Sequence, residues 1–158
     1  MPSLVTRQLF RIGVLTLTIA ASAAASLAAD RKMEARLIWG TNDDKSPNPE
    51  HKPLDAELAK KLQGLPFKWK NYFEVNRQMF TINDREYVKV EMSKQCFIEM
   101  KDKGESKVTV KLYGRDKLVN RVDRPLPKDE VLAIGGDDKN KTAWLITVRP
   151  VNGDKPKK

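Results

Sequence analysis

The sequence reads as a mainly β protein: an antiparallel β-sandwich of about eight or nine short strands, with one short α-helix after the first strand. Three features point there. Apolar residues alternate with polar ones along most of the chain, as in Val108, Val110 and Leu112 against Lys107, Thr109 and Lys111. Clusters of turn formers interrupt the alternation roughly every eight to twelve residues. A single segment departs to four-residue apolar spacing. Alternation with charge outside implies sheets that have one buried face and one wet face. The alternative is an α+β arrangement, because a strand–helix–strand start can place its two strands side by side in parallel.

Met33 to Trp39 form the first strand, ended by Gly40. Residues 41–53 are a polar loop in which Pro47, Pro49 and Pro53 exclude regular structure. Leu54, Leu58 and Leu62 then recur among good helix formers. Lys60 and Lys61 suit the negative end of that helix, and Gly64 with Pro66 stops it. Period two returns with Phe67, Trp69, Phe73 and Val75, although Asn71 interrupts the series and Tyr72 points the other way. Gln78 to Ile82 runs into the turn Asn83-Asp84-Arg85. Val88, Val90 and Met92 define the next strand, Cys96, Ile98 and Met100 another, and Val108 to Leu112 a third. Leu118 to Val122 follows the turn at Gly114-Arg115-Asp116. Val131 to Ile134 closes at Gly135-Gly136, where a positive φ is expected, and Trp144, Ile146 and Val148 form the last strand.

The two ends carry different signals. Arg7 and Arg11 precede the apolar stretch Ile12 to Ala21, and small residues from Ser22 to Ala29 follow, the pattern of a cleavable secretory leader. Cleavage fits after Ala28 or Ala29, with Ala25 as a further site. Retention of the leader would instead tether the protein to a membrane. A lipid anchor needs a cysteine directly after the cleavage site, where Ala29 or Asp30 stands. Residues 30–150 then form a single domain, and residues 151–158 a basic tail with little to bury.

Composition bounds the chemistry. The 158-residue chain has 30 Lys+Arg against 21 Asp+Glu, and loss of two arginines with the leader takes the formal charge from +9 to +7. The lysines are spread through almost every segment, whereas a nucleic-acid binder concentrates them, so no nucleic-acid partner is expected. Cys96 is the single cysteine, so no disulfide forms within the chain and the fold depends on its core. Its alternation with Ile98 and Met100 places it on an apolar strand face as an inert thiol.

No catalytic set, metal site or cofactor motif emerges. His51 is the single histidine, and Ser46, five residues away, lies in no nucleophile elbow. One His and one Cys cannot supply a zinc site. Asn42-Asp43-Asp44 and Gly136-Asp137-Asp138 offer oxygen ligands but lack the spacing of a calcium loop, and read as turns. Asn140-Lys141-Thr142 matches a glycosylation acceptor. The most suggestive stretch runs from Phe67 to Phe73, where Lys68, Trp69, Lys70 and Tyr72 interleave charge with aromatic surface and are the expected ligand-binding residues. Lysines on such a strand also guard an edge against unwanted pairing.

These readings converge on an exported, non-enzymatic binding or assembly module of the cell envelope or extracellular space. Its partner would be a protein or an anionic envelope polymer attracted by the positive charge. The alternatives are a hydrolase of envelope carbohydrate using two carboxylates brought together by the fold, and a structural subunit of a larger secreted complex.

Overall fold

In the computed structural model, residues 30–66, 69–137 and 143–151 are described. The leader, Phe67 and Lys68, the glycosylation acceptor and the tail beyond residue 151 lie outside them. Nine strands and one helix follow in order: β1 (Arg31–Thr41), β2 (Lys52–Pro53), α1 (Ala56–Gln63), β3 (Asn71–Ile82), β4 (Val88–Ser93), β5 (Cys96–Gly104), β6 (Lys107–Gly114), β7 (Lys117–Pro125), β8 (Leu132–Asp137) and β9 (Ala143–Pro150). They form two antiparallel sheets, β2-β3-β1-β9-β8 and β4-β5-β6-β7, which face one another as a β-sandwich.

Most predicted apolar series become inward faces, whereas Leu118 and Val119 of the edge strand β7 are exposed. Met33, Ala35 and Leu37 of β1 meet Ile98 and Met100 of β5, Val108 to Leu112 of β6, and Ile146 and Val148 of β9 in one core between the sheets. The helix does not act as a parallel crossover. β1 and β3, the long strands before and after it, pair antiparallel from Arg31↔Ile82 to Thr41↔Asn71, so the α+β alternative does not hold.

The outer face of the five-stranded sheet departs from the expected wet face. α1 lies across it, and Leu58 and Leu62 bury against Ile38, Tyr72 and Leu145 in a second apolar cluster. The physical reason is the leucine stripe: a helix with one apolar face must cover something, and the nearest surface is the sheet it interrupts. β1 is consequently buried on both sides, and Glu34 and Arg36 are buried with it.

Two further details differ from the sequence reading. Lys52 and Pro53, expected in a loop without regular structure, pair with Glu74 and Phe73 as a two-residue edge strand. Proline is tolerated there because an edge strand has a side that needs no donor. The strand ending in Gly135-Gly136 does not close at the glycines, since both pair with β9, at Leu145 and Trp144. Gly135 is required by close approach rather than by positive φ. A Cβ there would lie 2.7 Å from Leu145 Cα and press on the Trp144 carbonyl oxygen.

The break in alternation around Tyr72 is a β-bulge. Ile38 pairs with Glu74 and Leu37 with Asn76, so Val75 is the extra residue of β3. Tyr72 and Glu74 therefore share the helix-covered face, while Phe73 turns the other way, toward Trp39.

Candidate functional site

The two ends of the sandwich are built differently. At the end carrying the chain start, Arg31 Nη2 donates to the Leu126 carbonyl (2.8 Å) and pairs with Asp102 (3.6 Å). The Asp102 amide donates to the Asn83 carbonyl (2.9 Å), and the Leu126 amide to that of Ser106 (2.8 Å). These links stitch both sheets together there, over the buried Leu126.

At the opposite end the sheets part, and a cleft of about 410 Å³ opens between them. Leu37 of β1, Cys96 of β5 and Trp144 of β9 form its apolar floor, and Ser93, Gln95, Gly114 and Arg115 form its rim. Two turns make that rim. The β6–β7 hairpin closes on Arg115 and Asp116, both with positive φ (49° and 60°), in the two-residue turn geometry that suits the twist of a hairpin. The Arg115 amide donates to the Gln95 carbonyl (2.7 Å), which ties this turn to the β4–β5 turn. There the Gln95 amide donates to Ser93 Oγ (3.2 Å). Gly114 lies in the lining, and a Cβ there would come 3.2 Å from Val119 Cγ2.

The cleft joins apolar walls to a few polar groups at the mouth, at a size within the usual range of small-molecule pockets, roughly 300–1,000 Å³. Among the described residues, its lining carries no carboxylate. Burial pushes the Cys96 thiol up to about 11, so at neutral pH it is a protonated, weakly polar wall rather than a nucleophile. Among the described residues Arg115 takes part in no salt bridge, in contrast to Arg36, Arg77, Arg121 and Arg149.

Of the four residues expected from the aromatic–basic stretch, three are described, and they differ in exposure. Lys68 lies outside the described residues. Trp69 is half-buried, packed on Gly40 so closely that a Cβ there would come 2.8 Å from its ring. Tyr72 is buried in the cluster under α1, and burial raises its pKa above the ordinary phenol value, with the Trp69 main chain opposing this weakly. The Trp69 main chain lies near its buried hydroxyl, which completes no hydrogen bond of normal geometry among the described residues. Lys70 is exposed, and its amide donates to Asn42 Oδ1 (3.2 Å). Two of the four are thus packing residues, because β3 begins at Asn71 and turns its first aromatic toward the helix.

Other clusters fall into local roles. Ser46 Oγ lies 2.8 Å from His51 Nδ1 and also accepts from the Asn48 amide (3.3 Å). With the Glu50 amide on Asn48 Oδ1 (2.9 Å), these bonds lock the proline-rich loop. Asn42 and Asp43 anchor the start of β3, where Asn71 Nδ2 donates to the Asp43 carbonyl (2.8 Å). No group of three or more His, Cys, Asp or Glu stands ready to hold a metal ion among the described residues. No helix among them is long and apolar enough to cross a membrane.

The outer face of the four-stranded sheet gathers aromatic and basic groups that the sequence reading passed over. Phe97 and Tyr113 stack across β5 and β6 (centroids 4.6 Å apart, planes within 8°). Lys89 covers Phe97 at 4.3 Å and Lys111 covers Tyr87 at 3.8 Å. The ring faces are therefore occupied by one another and by lysines, which strengthens the sheet.

Sequence signals for the cleft were slight. Cys96 was legible as an apolar-face residue, but nothing in the chain connects residues 37, 93–96, 114–115 and 144 except the pairing of strands. No protein-family model, curated protein or solved structure matches the chain.

Proposed function

We propose that the protein is an exported binding module that holds a small, partly apolar molecule in the cleft between its sheets. The carrying observation is the asymmetry of the sandwich: one end stitched by Arg31, Asp102 and Leu126, the other opening over Leu37, Cys96 and Trp144. Mouths of closed or nearly closed β-structures are a recurrent location for ligand sites. The basic-then-apolar leader supports export, and a thiol kept inert by burial suits a chain that works outside the cytoplasm.

A direct test uses the single cysteine as a reporter. The neutral dye N-phenyl-1-naphthylamine should bind the protein lacking residues 1–29 at one site per chain and slow modification of Cys96 by a maleimide. Cys96→Phe should fill the floor and abolish dye binding while keeping the far-UV spectrum. Non-saturable dye binding, or unchanged binding to a folded Cys96→Phe protein, would remove the cleft as the site.

A further inference from the structure

Resting on that reading, we infer that the cleft selects a single-chain amphiphile with an anionic head group, its tail between the sheets and its head at Arg115. Three observations combine. The floor residues Leu37, Cys96 and Trp144 present hydrocarbon, a neutral thiol and an aromatic ring, surfaces that gain by excluding water. The volume of about 410 Å³ corresponds to about fourteen groups the size of a water, at about 30 Å³ each. That is the bulk of a medium-length acyl chain rather than a sugar ring, whose hydroxyls would find no partners on this floor.

The third observation is charge. The rim offers Arg115 with no carboxylate among the described lining residues to neutralise it, while Ser93 and Gln95 add polar groups beside it. A guanidinium takes carboxylate or phosphate by paired hydrogen bonds, which gives the head both charge and orientation. The backbone link from Arg115 to the Gln95 carbonyl (2.7 Å) holds the main chain from which this side chain springs against the second turn. A cationic head would meet Arg115 unfavourably, and a neutral head would leave it without an anionic partner.

Other features lead less far. The Ser46–His51 pair is absorbed by its loop, and the concavity beside α1 is lined by carboxylates and cations that pair with each other, such as Glu57 with Lys61 (3.3 Å). The exposed β7 edge, with Leu118 and Val119, carries nothing that identifies an occupant.

The test compares four amphiphiles of one chain length on the protein lacking residues 1–29: dodecanoate, dodecyl phosphate, dodecanol and dodecyltrimethylammonium, all below their micellar concentrations. Binding is read by tryptophan fluorescence and by protection of Cys96 from maleimide. At least one anion should bind tenfold or more tightly than dodecanol, and whichever anion is tighter identifies the head group. Arg115→Asn, which suits the left-handed turn position, should erase that advantage and leave dodecanol binding unchanged, whereas Arg115→Lys should keep most of it. Equal affinity for anions and dodecanol, or indifference to Arg115→Asn, overturns the head-group assignment while the cleft still binds. If none of the four protects Cys96 and the naphthylamine dye also fails, the binding reading falls with it.

Discussion

Tyr72 illustrates how position outweighs residue type. In the sequence it belongs to a basic and aromatic stretch with the composition of a recognition surface. In the fold it pairs with Gly40 and sits beneath the helix beside Ile38, Leu58 and Leu62. A buried hydroxyl without a hydrogen bond costs stability, so its removal is not a loss. Tyr72→Phe should leave stability unchanged or raise it by up to about 1 kcal/mol in urea unfolding. It should also leave amphiphile binding untouched. A destabilisation of 2 kcal/mol or more, about the worth of a satisfied buried hydrogen bond to a charged group, would reveal a partner for the hydroxyl. Lys70, the exposed neighbour, remains the one described residue of the four with its charge in water.

At the scale of elements, the junction of α1 with the five-stranded sheet is the most heavily charged part of the interior. Arg36, 2% exposed, donates from Nε to Glu34 (2.7 Å) and from Nη1 to Asp55, with Glu74 at 3.3 Å. Arg149 Nε donates to Glu34 as well (2.9 Å). Asp55 also caps the helix, accepting from the Leu58 amide (3.0 Å). One arginine therefore fastens the helix start to the central strand. Burial pushes Glu34 and Asp55 upward, but hydrogen bonds and charge from Arg36 and Arg149, and for Asp55 the Leu58 amide, leave both below the usual carboxylate range. Groups with lowered folded-state pKa stabilise fully above the unfolded value, about 4, and lose that contribution as pH falls through the folded values. The melting temperature should accordingly drop below about pH 4.5. Arg36→Met should cost about 3 kcal/mol or more at pH 7, because it removes the buried cation shared by Glu34, Asp55 and Glu74 and leaves Arg149 as the main partner of Glu34. The deficit should shrink toward pH 3 as the carboxyls take up protons. A deficit that stayed constant with pH would mean that Arg36 acts through packing alone.

Taken whole, the strands follow one another around the perimeter of the molecule. β3 to β9 succeed each other in chain order, and β9 returns to pair with β1, which pairs with β3. The sandwich is thus an up-and-down circuit flattened into two sheets. It has seams where β3 passes to β4 and where β7 passes to β8. Asn76 Nδ2 bridges the first seam to the Met92 carbonyl (2.9 Å). β9 is the strand on which the five-stranded sheet depends, since it joins β1 to β8 and contributes Leu145, Ile146 and Val148 to the two cores. A chain ending before Ala143 should lose cooperative unfolding in urea and the far-UV signature of a sheet. A truncated chain that still unfolded cooperatively would place the folding unit in the four-stranded sheet alone. The same circuit explains the candidate site. Because each turn at the open end lies beside the next around the perimeter, residues far apart in sequence meet over one cleft.

Local chemistry was enough to determine the fold class, most strand positions, the helix and the inward placement of Cys96. Alternation, leucine spacing and turn residues act over a few neighbours and are legible without knowing what packs where. Tertiary structure decided the rest. It placed α1 over the sheet and buried Glu34 and Arg36. It packed Trp69 against Gly40 and Tyr72 beneath α1. It assembled the cleft from four separate parts of the chain. Each of these outcomes rests on contacts between residues distant in sequence, and no local pattern encodes which distant surface a face will meet.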